Sequence, residues 1–178
     1  MKNNKLDYYI FLKELNEKVI NNILKLKKQK LRINIIILEN NFSIVVKFAK
    51  KERIPFFVIN SIKLAIKNKA QGVFLTSKYK TLKKNIKETT KLQVIGSAHN
   101  QYEYYIKKEQ NCNTIMLSPI FFNKKYSINK ILYVNKFNLI TLGWKNNICA
   151  LGGINSKNLK LVNLTKVKSI GIKSLIAN

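Results

Sequence analysis

The segment Leu151-Gly152-Gly153-Ile154-Asn155 is the part of this chain best suited to holding an anion. Paired glycines let the backbone come close to a ligand, and a helix starting just beyond them offers unpaired N–H groups to negative charge. Their bland role is a tight turn. Lys173-Ser174, near the C-terminus, could supply the second half of such a cradle. Ser97-Ala98-His99-Asn100 carries the only histidine. An imidazole there can donate a hydrogen bond or shuttle a proton. No carboxylate partner stands out near it in sequence, so the expected role is a helix-entry histidine with one nitrogen satisfied by backbone. Ser118-Pro119-Ile120-Phe121-Phe122-Asn123-Lys124-Lys125-Tyr126 reads as a long loop whose two lysines could close over an anionic substrate, although lysines are common throughout the chain.

Acidic groups are scarce. Asp7 is the only aspartate, and of the seven glutamates only Glu39 is expected at the C-terminal end of a strand. Magnesium is usually held by one or two carboxylates beside substrate phosphates, so a two-carboxylate magnesium site is very hard to build here. Lys+Arg is 34 against 8 for Asp+Glu, a net charge of +26. Such an excess attracts polyanions by counterion release. Yet arginine, the residue favoured for bidentate contacts to bases and phosphates, occurs only at Arg32 and Arg53. Lysine is spread along the whole chain with Asn and Ile, a compositional bias that argues against nucleic acid as a partner. Cys112 and Cys149 form neither a metal pattern nor a disulfide framework. No apolar run approaches the roughly 20 residues that cross a bilayer, and Met1–Asp7 lacks the order of a signal peptide. A reduced, cytoplasmic setting is expected.

The elements that must position these residues alternate. Short apolar runs without strict alternation, as expected for strands covered on both faces, fall at Tyr8–Leu12, Ile33–Leu38, Pro55–Asn60, Gly72–Leu75, Gln93–Ser97, Thr114–Ser118, Asn147–Leu151 and Ser169–Lys173. Lysine-rich stretches of helical period lie between them: Glu14–Lys30, Asn41–Lys51, Ile62–Asn68, Thr81–Thr90, Gln101–Glu109, Val134–Leu142 and Ser156–Leu164. Eight strands with seven helices predict a single α/β domain over residues 1–178, a compact (β/α)8 TIM barrel. The chain stops at Asn178, so the last helix is expected to be missing or vestigial. The barrel surface it would leave bare makes a homodimer plausible. In this architecture function gathers at the C-terminal ends of the strands, with phosphate held between the last two.

Six phrases in order, over about two-thirds of the chain, resemble the thiamine-phosphate synthase and thiazole tautomerase superfamily. They are Phe57-Val58-Ile59-Asn60, Ala70-Gln71-Gly72-Val73-Phe74-Leu75, Ile95-Gly96-Ser97-Ala98-His99 followed by Glu103, Ser118-Pro119-Ile120-Phe121, Ala150-Leu151-Gly152-Gly153-Ile154, and Gly171-Ile172-Lys173-Ser174-Leu175-Ile176. The resemblance implies a (β/α)8 barrel that joins hydroxymethylpyrimidine pyrophosphate to thiazole phosphate, releasing pyrophosphate with Mg2+. It implies that Asn60 faces the pyrimidine, Ser97 lies near the pyrophosphate, and Gly153 and Ser174 hold the thiazole phosphate through backbone groups. The family's threonine and lysine of the sixth loop become Asn123 and Lys125 or Tyr126. The chain also departs from the pattern. Ser61 stands where the family has an aspartate, and Thr76-Ser77-Lys78-Tyr79 replaces its second acidic stretch, so the Mg2+ carboxylates are missing. Pro119 stands where the tautomerases place a histidine, which makes that loop look more like a synthase. The alternative is a catalytically degenerate barrel that only binds a phosphate ester.

Overall fold

The computed structural model describes residues 6–38, 42–81 and 90–172. Eight parallel strands close into a ring in sequence order: β1 (Asp7–Leu12), β2 (Arg32–Ile37), β3 (Phe56–Ile59), β4 (Gly72–Leu75), β5 (Gln93–Ala98), β6 (Thr114–Leu117), β7 (Asn147–Leu151) and β8 (Ser169–Ile172). Six helices are described outside the ring: α1 (Glu17–Lys28), α2 (Phe42–Lys51), α3 (Ile62–Lys67), α4 (Gln101–Glu109), α5 (Tyr133–Thr141) and α6 (Leu159–Val162). The (β/α)8 barrel expected from the alternation is the architecture observed. The ring closes where β1 meets β8, with Asp7 opposite Ser169 and Ile10 opposite Ile172.

The strands read as continuous apolar runs because both faces are buried. Alternate residues fill the ring: Tyr9, Phe11, Ile36, Phe57, Phe74, Ile95, Met116, Cys149 and Leu151 make one interior cluster. Tyr9 meets Phe57 edge-on at 5.8 Å, and Phe11 meets Phe74 at 5.3 Å. The intervening residues, such as Ile10, Ile35 and Val58, pack outward against helices through Val19, Ile23, Val45 and Ala49. A similar layer joins Leu117, Ala150 and Ile170 to Phe137 and Val162.

Helix ends depart from the periodicity where polar side chains compete with the backbone. The pattern predicts a first helix from Glu14, but α1 starts at Glu17 because Asn16 is extended and its Oδ1 accepts from the Val19 N–H at 2.9 Å. Lys25, Lys27 and Lys28 then face the negative end of the helix dipole. The helix expected over Ser156–Leu164 shrinks to α6. Asn155 Oδ1 accepts from the N–H groups of Lys157 and Asn158, while Asn158 Oδ1 accepts from that of Asn155. These local loops take the bonds a first helical turn would need. The helix expected over Thr81–Thr90 falls almost wholly on residues 82–89, outside the described residues, as do Glu39 and everything beyond Ile172, including Ser174 and any eighth helix.

Candidate functional site

The C-terminal rim of β5, β6 and β7 gathers most of the expected polar residues. At the end of β5, Asn100 is extended and caps α4, its Oδ1 accepting from the Glu103 N–H at 2.9 Å. Glu103 turns back in reply, and its Oε2 accepts from the His99 N–H at 2.7 Å. The same oxygen lies 2.9 Å from His99 Nδ1. This is a capping-box exchange displaced by one residue, and it fixes the ring. With the carboxylate accepting at Nδ1, the neutral imidazole carries its proton there and presents Nε2 as an acceptor. The Tyr126 hydroxyl lies 3.0 Å from Nε2. His99 therefore has side-chain partners on both nitrogens. The expected backbone partner is corrected to Glu103 and Tyr126.

Tyr126 arrives on the loop after β6. That loop is first stitched to the end of β7: the Ile120 N–H donates to Leu151 O and the Phe121 N–H to Gly152 O, each at 3.0 Å. The Ser118–Pro119 peptide is cis. Beyond Phe122, Asn123 organises a turn in which its Oδ1 accepts from the Lys125 N–H and its carbonyl from the Tyr126 N–H. The phenol returns over β6 to hydrogen-bond Ser118. Burial holds the phenol above its ordinary pKa, opposed by the Ser118 hydrogen bond and assisted by the charge of Glu103. Glu103, His99, Tyr126 and Ser118 thus form one chain of hydrogen bonds from a helix to the barrel mouth.

Gly152 and Gly153 have φ of +93° and +72°. A Cβ on Gly152 would lie 2.9 Å from Pro119 Cα, and one on Gly153 would collide with the Phe121 carbonyl. The glycines therefore let two loops press together. The Gly153 carbonyl accepts from Asn158 Nδ2 at 2.8 Å and Asn155 Nδ2 at 3.3 Å, while no partner for its N–H is found among the described residues.

The remaining expected residues are placed as follows. Ser97 is buried on β5, two residues from the interior Ile95 and therefore inward-facing. Lys125 is exposed, with Nζ 5.6 Å from the centre of the Tyr126 ring. Asn60 has φ +49°, and its carboxamide is engaged by the end of β4: Oδ1 accepts from the Thr76 N–H at 2.9 Å and Nδ2 donates to Thr76 Oγ1 at 3.1 Å. The fold brings Ser97, Lys125 and Gly153 to three successive strand ends. Asn60 stands two strands from Ser97, and Ser174 lies outside the described residues. The partnership of Glu103 with His99 had a signal, Asn-x-x-Glu at a helix start, whereas that of Tyr126 had none, because its loop folds back over a distance sequence spacing does not encode.

The residues present do not fit the Mg2+ site that the resemblance implies. Among the described residues no three His, Cys, Asp or Glu side chains lie close enough to share a metal ion. Ser61 Oγ caps α3 by accepting from the Leu64 N–H, Lys78 is exposed at the β4 end, and Glu103 is committed to His99.

Residues 38–176 match the family model described as thiamine monophosphate synthase. The chain is similar to the structure of thiamine phosphate pyrophosphorylase from Pyrococcus furiosus, at 20% identity and a TM-score of 0.73 over 97% of this chain and 87% of that one. It also matches the native KDPGal structure at 10% identity, with a TM-score of 0.67 over 96% and 84% of the two chains. The YdjI aldolase from Escherichia coli K12 matches at 11% identity, with a TM-score of 0.61 over 96% and 76%. At such identities these likenesses establish the fold alone. No curated protein matches the chain.

Proposed function

The chain belongs to the thiamine monophosphate synthase family, and from that premise we propose that it couples hydroxymethylpyrimidine pyrophosphate to thiazole phosphate with release of pyrophosphate, as a transferase of thiamine biosynthesis. The observation that carries this reading is the meeting of the Gly152–Gly153 turn with the Pro119–Phe122 segment at the rim of β6 and β7. A main-chain N–H at Gly153 and the cations of Lys124 and Lys125 there suit a phosphorylated ligand. Thiazole phosphate is assigned to the Gly153 side and Ser174, the pyrophosphate to Ser97 and Lys125, and the pyrimidine to the Asn60 side.

Expelling pyrophosphate develops negative charge, and stabilising that charge commonly lowers the barrier of such a transfer more than any other effect. Lys78, Lys124 and Lys125 are the point charges we assign to this task, since among the described residues no cluster of carboxylates fit for a magnesium site is found. That lack also favours the second reading, a barrel that binds a phosphate ester without catalysis. Purified protein incubated with both phosphorylated halves and Mg2+ is expected to form coupled product. Lys125→Ala is expected to raise KM for the pyrophosphate substrate about tenfold, the loss of roughly 1.4 kcal/mol. No product at any pH, together with calorimetric binding of thiazole phosphate, would leave the binding-only barrel.

No described helix is long and apolar enough to cross a membrane. We place the protein in the cytoplasm with small phosphorylated ligands as partners, without membrane or nucleic acid. A homodimer is also proposed, supported by the exposure of Leu139 (73%), Leu142 (77%) and Leu164 (65%) beside α5 and α6, and light scattering tests it.

A further inference from the structure

We propose that the Tyr126 hydroxyl, backed by His99 and Glu103, is the proton donor to the leaving phosphate oxygen. This deepens the transferase reading and rests on it for the identity of the substrate. Three observations carry it.

The chain of bonds is continuous: Glu103 Oε2 to His99 Nδ1 at 2.9 Å, His99 Nε2 to Tyr126 Oη at 3.0 Å, and Tyr126 Oη to the Ser118 hydroxyl. Its direction is fixed, because Glu103 is anchored at the first turn of α4 and also holds the His99 N–H, so only the Tyr126 end is left to meet a ligand. Its position is also set. Ser118 is buried and follows the interior Met116 by two residues on the β6 line, which sets the phenol at the C-terminal rim of β6, with Lys125 Nζ 5.6 Å from the centre of its ring. The raised pKa of the phenol keeps its proton in place at neutral pH.

The step balances as follows. For the reaction the resting neutral His99 first takes a second proton from solvent at Nε2, so that Nδ1–H stays on Glu103 and Nε2–H donates to Tyr126 Oη. As the carbon–oxygen bond to the leaving phosphate breaks, the bonding pair stays on that oxygen, which takes the Tyr126 proton. Nε2–H replaces the proton on Tyr126. The products are a neutral His99, a protonated leaving group and a carbon now bonded to the incoming nitrogen. Solvent returns the proton to His99.

His99 is the only histidine, so its two ring nitrogens give unambiguous NMR signals. Inorganic pyrophosphate added to the wild-type protein is expected to shift both, and in Tyr126→Phe the Nε2 signal should no longer respond. In the coupling assay Tyr126→Phe is expected to lower kcat about 100-fold with KM within about twofold. Adding His99→Asn to Tyr126→Phe should cost little more, because the two act as one unit. Ring signals unmoved by saturating pyrophosphate overturn the proposal whatever the coupling assay gives. Normal coupling by Tyr126→Phe also overturns it while leaving the transferase reading intact. Absent coupling in the wild type with a pyrophosphate-dependent, Tyr126-dependent shift rejects the transferase reading and retains Tyr126 as the group that meets the leaving phosphate.

Discussion

Lys107 runs across the Cα of Gly96, sealed from solvent, with its ammonium donating to Tyr79 O at 2.7 Å and Gln110 Oε1 at 2.8 Å. It ties α4 to the segment after β4. Burial pulls its pKa down to about 8, with Cys112 and Glu103 acting weakly in the opposite sense. Below pH 8 the lysine is charged in folded and unfolded chains alike, and the cost of burying the cation is present in full. As pH rises from about 8 toward the ordinary value of 10.5, the folded protein sheds the proton first and stability increases. Cys112 and Cys149 act oppositely. Burial pushes both thiols up to about 12, so from about pH 8 upward the unfolded chain alone ionises and stability falls. Between pH 8 and 9 Lys107 alone contributes a gain of about 1 kcal/mol, largely offset by the two thiols, so wild type and Lys107→Met are expected to diverge by about that amount over this interval in urea unfolding. Nothing in the sequence set Lys107 apart from the other lysines of its helix. Its burial depends on Gly96 leaving room on a neighbouring strand. The same limit hid the His99 cluster: Glu103 was within reach of a capping argument, whereas Tyr126 had to be brought back by a turn at Asn123.

The helices and loops carry the register of the rim. Asn100 caps α4 and at the same time aims Glu103 at His99. Asn100→Ala is expected to cost about 1 kcal/mol of stability by denaturant unfolding and to broaden or shift the His99 ring signals, two effects one capping residue produces together. At Gly153, Ala must adopt a positive φ and push back the Phe121 carbonyl. A loss of about 1–3 kcal/mol is expected, with weaker binding of phosphate esters in calorimetry. The strands were legible because apolar runs covered on both faces mark themselves in the sequence, and Gly72–Leu75 and Asn147–Leu151 are found with the predicted ends. Helix ends were less so. At Asn16 and Asn155 a side chain competes with the backbone for the same hydrogen bonds, and helical period carries no information about which one wins.

Across the whole molecule, a net charge of +26 works against compaction. Adding salt shortens the range of that repulsion from about 30 Å at 0.01 M to about 8 Å at 0.15 M. The melting temperature is expected to rise by roughly 2–4 °C over this interval in calorimetry, the shift that about 1 kcal/mol gives a domain of this size. The ring was legible as a count of alternating elements, and its closure could be inferred from eight strands, but the alignment of β1 on β8 could not. That alignment joins Asp7 to Ser169, residues 169 − 7 = 162 apart. During synthesis, then, the first strand must wait until Ser169–Ile172 has left the ribosome before its free edge is covered. A chain ended before Ser169 keeps two bare edges and is expected to aggregate, whereas the whole chain, once shut, offers no seam at which a stray strand can enter.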